Sequence, residues 1–571
     1  MHVLVGFDMG FLVRTFSWPV VVGANWLKER KLKSKIFRLI LDEESIEFFD
    51  AHKSTVGFEV LKGLMSEPEI QVLSLEIDSI PRNLSAQQEL RDLLMGFKSR
   101  FGRTIFVHLR NPTFLGYWLA SVGDYIHIAP CQDIFLIPIA NQSMFYGRLL
   151  DILGIQADII AAGKCKSLGE PYTRSFPSQP NREQITTLFE QIQAHIAQEI
   201  WNARKETSQH LDIASFSDFQ SIIDSGMMSA SKMKELGLID TTSYIDEYEK
   251  AIAKFTHREY KPIDMSIASL LKIAVWDKKL DISTQIAQVN LSGTIVEQSS
   301  GGQRIDSKTC IKVLYDLRKN DAIKGVLLVI DSPGGSAIAS DRIARAIDKL
   351  MEKKPVVAFM KGMAASGGYY IACRCLHITA QPTTITGSIG VVGGKVAFGK
   401  TMERIGITSE LISGGNKESA SLFSTWTPFT ENQRTQMKEL LEETYERFLQ
   451  IVSGGRKMPM EQVRKLAEGR VYTGLEALRI GLVDQIGGIE DAKKHLAQRI
   501  GVKRVKTVNI TIKKKASVLK RVRQFAMGGV FEPQKQISQM VDSVMPETLQ
   551  ILLEHPYQPL MLLPTQIDTV S

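Results

Sequence analysis

Long uninterrupted apolar runs are missing from this sequence. Residues 3–27 come nearest, but Asp8, Arg14, Pro19 and Asn25 interrupt them, and a spanning helix needs about 20 largely apolar residues in a row. An interfacial helix, a poor signal anchor, or a strand and loop all remain open for this segment. No small-residue cleavage site marks it as a removable signal peptide. Cysteine is scarce as well: Cys131, Cys165, Cys310, Cys373 and Cys375 are scattered, and none has C-x-x-C spacing. That argues against a zinc or redox site and reads as ordinary thiols, so no metal and no cofactor is expected. What is plentiful is globular material. The 571 residues are 44% apolar and 23% charged, enough for two domains of roughly 200 residues with their own cores.

The net charge of +8 is concentrated in two strips. Lys28, Arg30, Lys31, Lys33, Lys35 and Arg38 are opposed only by Glu29, and Lys503, Arg504, Lys506, Lys513, Lys514, Lys515, Lys520, Arg521 and Arg523 by no acid. Taking these 15 bases and one acid from the totals of 70 and 62 leaves 55 against 61, an acidic remainder. Confined basic strips suit anionic lipid or nucleic acid, or are simply solvated faces. Few aromatics are interleaved with them, which disfavours nucleic acid as a partner.

The chain repeats itself once. Pro68-Glu-Ile-Gln-Val-Leu-Ser-Leu-Glu-Ile-Asp-Ser79 is echoed by Asp321-Ala-Ile-Lys-Gly-Val-Leu-Leu-Val-Ile-Asp-Ser332 at an offset of 253. Tyr117-Trp-Leu-Ala120 matches Tyr369-Tyr-Ile-Ala372, and Leu153-Gly-Ile155 matches Ile405-Gly-Ile407, both at 252. Matches holding register through one single-residue gap indicate tandem duplication. Val326–Ile330 and Val356–Met360 read as buried strands, and Ile338–Leu350 between them as an amphipathic helix. A long helix is expected over Glu431–Ser453, and a linker over His257–Ile282. Alternating strands and helices imply a layered α/β architecture with right-handed crossovers.

Two turns in the second half carry chemistry. Asp331-Ser-Pro-Gly-Gly-Ser336 follows a strand, and its adjacent glycines leave backbone N–H groups open to an anion. Met363-Ala-Ala-Ser-Gly-Gly-Tyr369 places Ser366 among small residues at a strand-to-helix turn. The two turns lie about 30 residues apart on successive strands, a pairing that supplies a nucleophile and donors for an oxyanion. A serine needs a base. His377 lies nearest, inside an apparent strand, and reads as locally satisfied. A lysine kept neutral by burial is the other option. Gly163-Lys-Cys-Lys-Ser-Leu-Gly-Glu-Pro171 offers Lys164 and Lys166, though its residues alone fit a solvated loop equally well.

These motifs, with Thr386-Gly-Ser-Ile-Gly390, Gly469-Arg-Val-Tyr-Thr-Gly474 and Gly481-Leu-Val-Asp484, resemble the signal peptide peptidase A (protease IV) family. Gly163-Lys-Cys-Lys166 with Glu170-Pro171 resembles the lysine motif of its long, duplicated form. The resemblance covers about residues 50–500. It implies two tandem ClpP/crotonase-like α/β domains with layered sheets and flanking helices. The expected divisions are 1–45 (a possible anchor), 46–265 (the lysine-bearing repeat), 266–505 (the serine-bearing repeat) and 506–571 (a basic and apolar extension). It further implies a serine protease with Ser366 as nucleophile, Lys166 as base, Ser388 supporting the lysine, and an oxyanion hole at Gly334, Gly335 and Gly367. Cleaved signal peptides would be the substrates. The setting would be the bacterial inner membrane, with the catalytic domains on the periplasmic side, and the state a homo-oligomer, a tetramer being favoured.

The repeat is consistent with that division of labour. At the 252 offset Ser366 falls on Phe114, and Lys166 on Glu418, with Lys417 beside it as a rival base. A crotonase-type acyl-CoA hydratase or isomerase shares the Gly-rich turns but needs no serine there. A non-catalytic membrane scaffold would not require Ser366 and Lys166 intact.

Overall fold

The computed structural model describes residues 36–43, 46, 58, 61, 70–264, 284–298, 304–511 and 560–562, apart from 82, 131 and 414. The apolar segment 3–27, most of both basic strips and most of the expected linker lie outside the described residues. Among the described residues no helix is long and apolar enough to cross a membrane. One member of the first basic strip is committed internally: Arg38 donates from Nε to the buried Glu76 carboxylate at 2.5 Å.

The chain divides into two compact units, one of residues 1–138 with 194–281, the other of residues 139–193 with 282–570. Each is organised on a parallel sheet. In the first unit the order is Thr241–Thr242, Tyr125–Ile128, Thr104–Leu109, Val72–Ile77, Ile36–Leu41, Ile263–Asp264. In the second it is Gln485–Ile486, Ile378–Ala380, Val356–Ala365, Ile323–Ser332, Gln285–Ser292, Lys506–Thr511. The same succession appears twice, as the internal repeat requires.

The second unit explains why its strands read as unbroken apolar runs. Val326, Leu328 and Ile330 face the main core, with Ile343, Ile347 and Leu350 of helix Ala337–Met351. Leu327 and Val329 face the opposite way, against Ala492 and Leu496 of helix Ile489–Ile500. A parallel sheet covered on both faces has no polar side to alternate. Each fully buried Leu, Ile or Phe there contributes about 1.5–3 kcal/mol. The expected helices are present and slightly longer, at Ala337–Met351 and Glu431–Arg456. The latter opens with Thr430 and Gln433 capping each other's backbone.

A second sheet of this unit runs Arg304–Asp306, Thr294–Val296, Gly334–Ser336, Leu560–Leu562, Val391–Ala397, Gln156–Ala162. Its last strand comes from the first repeat. Gln156–Ala162 pairs antiparallel with Val391–Ala397, from Gln156 opposite Ala397 to Ala162 opposite Val391. Asp158 on that strand is 5% exposed, ion-pairs with Arg434, and accepts from the Phe429 N–H at 2.8 Å. This carboxylate ties the strand to the start of the long helix.

Asp158→Ala leaves Arg434 and a buried N–H without their acceptor. A loss of about 2 kcal/mol is expected, since Arg434 retains access to solvent. Thermal unfolding followed by circular dichroism checks it, and an unchanged midpoint would remove Asp158 from the account of how this strand is held.

Candidate active site

Three strand ends converge on one point in the second unit. Val356–Ala365 pairs in parallel with Ile385–Gly387, Ala365 lying opposite Gly387. The residues that follow, Ser366 and Ser388, are therefore neighbours, and the Ser366 N–H donates to the Gly387 carbonyl at 2.8 Å. Three residues beyond Ser388 begins the strand whose first residue, Val391, pairs with Ala162. The chain leaving Ala162 then turns through Gly163 and brings in Lys166. Strand register alone places these three side chains together.

Lys166 Nζ lies 2.8 Å from Ser366 Oγ, 2.9 Å from Ser388 Oγ and 3.1 Å from the Ser388 carbonyl. All three residues are buried. Burial pushes the Lys166 pKa well below the ordinary lysine value, because a dry interior disfavours the ammonium form. The three contacts match what a neutral amine can offer. Such an amine can give its two N–H groups to the Ser388 carbonyl and hydroxyl and keep a lone pair for the Ser366 O–H, all three oxygens lying within 3.1 Å.

Ser366 sits at φ 54°, ψ −116°, immediately before the short helix Gly367–Ala372. A serine in this sparsely populated region is held there by its surroundings. Small neighbours are required. A Cβ on Gly367 would come within 2.6 Å of Ser340 Oγ and 3.3 Å of both Gly334 Cα and Gly335 N. Gly334, Gly335 and Gly367 therefore meet beside Ser366. The Gly334 N–H also donates to Ser332 Oγ at 3.2 Å.

The other candidates lie elsewhere. Lys164 is exposed, and only its backbone N–H is engaged, to Glu468 Oε2 at 3.0 Å. Lys417 is exposed in the short helix Lys417–Ala420. His377 bonds Gln485 at 3.1 Å through Nε2 and stacks on His495 at 3.6 Å.

The seat beneath Lys166 was hidden from the sequence reading. The Cys165 N–H donates to the Glu468 carbonyl at 2.7 Å, and Gln184 Nε2 donates to the Cys165 carbonyl at 2.9 Å. Gly469, at φ 75°, packs directly on the lysine, and a Cβ there would fall 2.7 Å from Lys166 N and 2.8 Å from Lys166 Cβ. The Gly469–Gly474 motif was visible, but nothing in its spacing tied it to a lysine some 300 residues earlier.

Two outcomes follow. Gly469→Ala displaces Lys166 and slows acylation of Ser366 by an activated ester at least about tenfold, given that a 1 Å misplacement can cost about a hundredfold. An unchanged rate would show that the seat tolerates a side chain. Separately, with the folded-state pKa of Lys166 depressed, the unfolded chain binds the extra proton between the folded value and about 10.4. The wild type should therefore gain stability relative to Lys166→Met as pH rises towards 10. Parallel unfolding midpoints from pH 7 to 10 would mean that Lys166 is not buried in its neutral form.

Comparison with known proteins matches this architecture. Peptidase family S49 matches residues 102–258 and again 348–503, together more than half of the chain, and Clp protease matches residues 281–377. "Serine protease SPPA, chloroplastic" of Arabidopsis thaliana is 29% identical over 453 residues, covering 78% of this chain and 65% of that protein. "Protease 4" of Salmonella typhi is 30% identical over 408 residues, 70% of this chain and 64% of that protein. "Protease 4" of Haemophilus influenzae is 28% identical over 458 residues, 76% of this chain and 71% of that protein. The chain thus spans slightly under two thirds of the length of the first two relatives. Its fold is a tandem duplication of ClpP-like α/β domains, and the chain belongs to peptidase family S49.

Proposed function

We propose that this chain is a serine endopeptidase working through a Ser366–Lys166 dyad. The observation that carries the reading is the buried amine of Lys166 at 2.8 Å from Ser366 Oγ. Neutral Lys166 accepts the Ser366 proton as Oγ attacks the peptide carbonyl, then returns it to the departing amine. Ser388 holds the amine through its carbonyl and hydroxyl, so that the lone pair stays aimed at Ser366. The backbone at Gly334, Gly335 and Gly367, which packs beside Ser366, is the proposed oxyanion hole for the negative charge that develops. Water repeats the cycle on the acyl-enzyme.

Peptides are the substrate class that fits a peptidase family, and cleaved signal peptides are the proposed physiological set. Attachment to an anionic inner membrane through the basic strips, periplasmic catalytic domains and assembly as a homo-oligomer, a tetramer, complete the proposal. A hydratase or a scaffold would have no use for a neutral lysine against a serine, so neither is favoured.

Hydrolysis of an apolar signal-peptide sequence by purified protein is the test. Ser366→Ala should fall below about a hundredth of wild type with folding intact, because the remaining machinery has no nucleophile. Lys166→Arg should be as inactive as Lys166→Ala, since a guanidinium keeps its proton, while Lys417→Ala should lose little. Activity should rise with pH through an apparent pKa below that of free lysine, because only the neutral amine is a base. Substantial activity in Lys166→Arg would refute the dyad.

A further inference from the structure

The two repeats differ at one row of their sheets. In the second unit Val329 lies opposite Phe359, and Phe359 opposite Thr379. Val329 and Phe359 belong to the apolar cluster that seats helix Ile489–Ile500 through Ala492 and Leu496. In the first unit Glu76 lies opposite His108, and His108 opposite His127. The repeat offsets of 253 and 252 carry Glu76 onto Val329 and His127 onto Thr379, and strand register then puts His108 on Phe359. The corresponding helix, Ile245–Thr256, buries Tyr248 and Ile252, spaced as Ala492 and Leu496 are. One repeat keeps an apolar seat for its helix, and the other fills the same seat with a carboxylate and two imidazoles.

Those rings are dry. His108 and His127 are each 4% exposed, and the Tyr248 ring lies 5.2 Å from both. His127 Nδ1 meets Ser243 Oγ at 2.8 Å. Among the described residues neither ring nitrogen of His108 makes a hydrogen bond of full strength, although the Ser243 backbone lies near enough to favour its charged form. The surrounding charges are already matched: Glu76 is shared by Arg38 and Arg110, Asp78 pairs with Arg110, and Asp240 with Arg204. Tyr248 is kept neutral by burial and bonds Ser74 Oγ at 2.9 Å, where Tyr260 also bonds at 3.1 Å. Of the other charged groups on the helix, Asp246 pairs with Lys250 in solvent, Glu247 caps the Tyr244 N–H, and Glu249 acts on Tyr260. A proton on either imidazole therefore adds an unmatched charge to a dry layer, and a second proton adds repulsion. Burial and then Arg110 hold the His108 pKa below its ordinary value, and burial and then His108 push that of His127 down to about 4.

We infer that His108 and His127 form an acid-triggered latch, whose protonation releases helix Ile245–Thr256 from the sheet of the first unit. Two buried side chains, Tyr248 and Ile252, anchor this helix, so the element that lifts is small enough to open locally. Once released, the imidazoles reach water and titrate near pH 6.5, whereas docked His127 titrates at about 4. The released state binds the extra protons, so docking keeps its full stability above about pH 6.5 and loses it as pH falls towards 4. Between pH 7 and 5 His127 alone should raise the opening equilibrium about twentyfold, and His108 acts in the same direction. His257, exposed at the helix C-terminus, opposes release, because a charge there favours the helix dipole. The latch does not depend on the peptidase reading.

Hydrogen exchange of the full chain, read by mass spectrometry and corrected for the intrinsic pH dependence of exchange, is the test. From pH 7 to 5 peptides covering Ile245–Thr256 should lose protection by about tenfold or more. Strand Val72–Ile77 of the same unit, paired on both edges, should keep its protection. His108→Phe with His127→Thr restores the residues of the second repeat and should abolish the loss. His108→Gln with His127→Gln, whose side chains stay polar but take no proton, should abolish it as well. Equal acid loss in wild type and the double glutamine variant would overturn the inference, and so would loosening of the helix and the strand together.

Discussion

A lysine amine buried with no carboxylate partner among the described residues is the constraint around which this site is built. Isolated charge in a dry interior costs several kcal/mol even after relaxation, and the group escapes that cost by giving up its proton. Once neutral, it still needs its hydrogen-bonding groups met. The Ser388 carbonyl and hydroxyl and the Ser366 hydroxyl all lie within hydrogen-bond distance of it. The loss of that proton is therefore what lets the fold bury this amine.

Holding that amine recruits structure from three stretches of chain far apart in sequence. Gln156–Ala162 is fixed by its ladder with Val391–Ala397 and by Asp158. The 163–166 turn is seated on Glu468 and Gly469, and Gln184 holds it from the other side. Ser366 is fixed by strand register and by an N–H bond to Gly387. None of these supports touches a reacting atom, yet each sets where the lone pair points.

The first unit keeps the repeat's sheet and turns it to other ends. Where the second unit has Ser366, it has Phe114, opening a short helix capped by Thr113. Its sheet buries polar groups: Glu76 is fully enclosed between Arg38 at 2.5 Å and Arg110 at 2.9 Å. Ser74 bonds Tyr248 at 2.9 Å, and burial lowers the His127 pKa to about 4. These interior groups belong to a domain with no serine at that position.

Several features were determined by the sequence alone because they depend on local pattern. Apolar runs such as Val326–Ile330 had to be strands buried on both faces, and the spacing in Ile338–Leu350 had to be a helix over them. The internal repeat fixed a second copy of the same sheet, and the two Gly-rich turns marked where a serine and oxyanion donors would stand. The lysine was different. Lys164, Lys166 and Lys417 all sit in polar, Gly-containing stretches, and only the family resemblance separated them. Tertiary structure decides between them by burial, which leaves Lys164 and Lys417 in solvent and Lys166 dry against Ser366. The seat at Glu468–Gly469 and the strand Leu560–Leu562 were likewise illegible in advance. Desolvation and strand register are properties of residues brought together across hundreds of positions, and no local pattern encodes them.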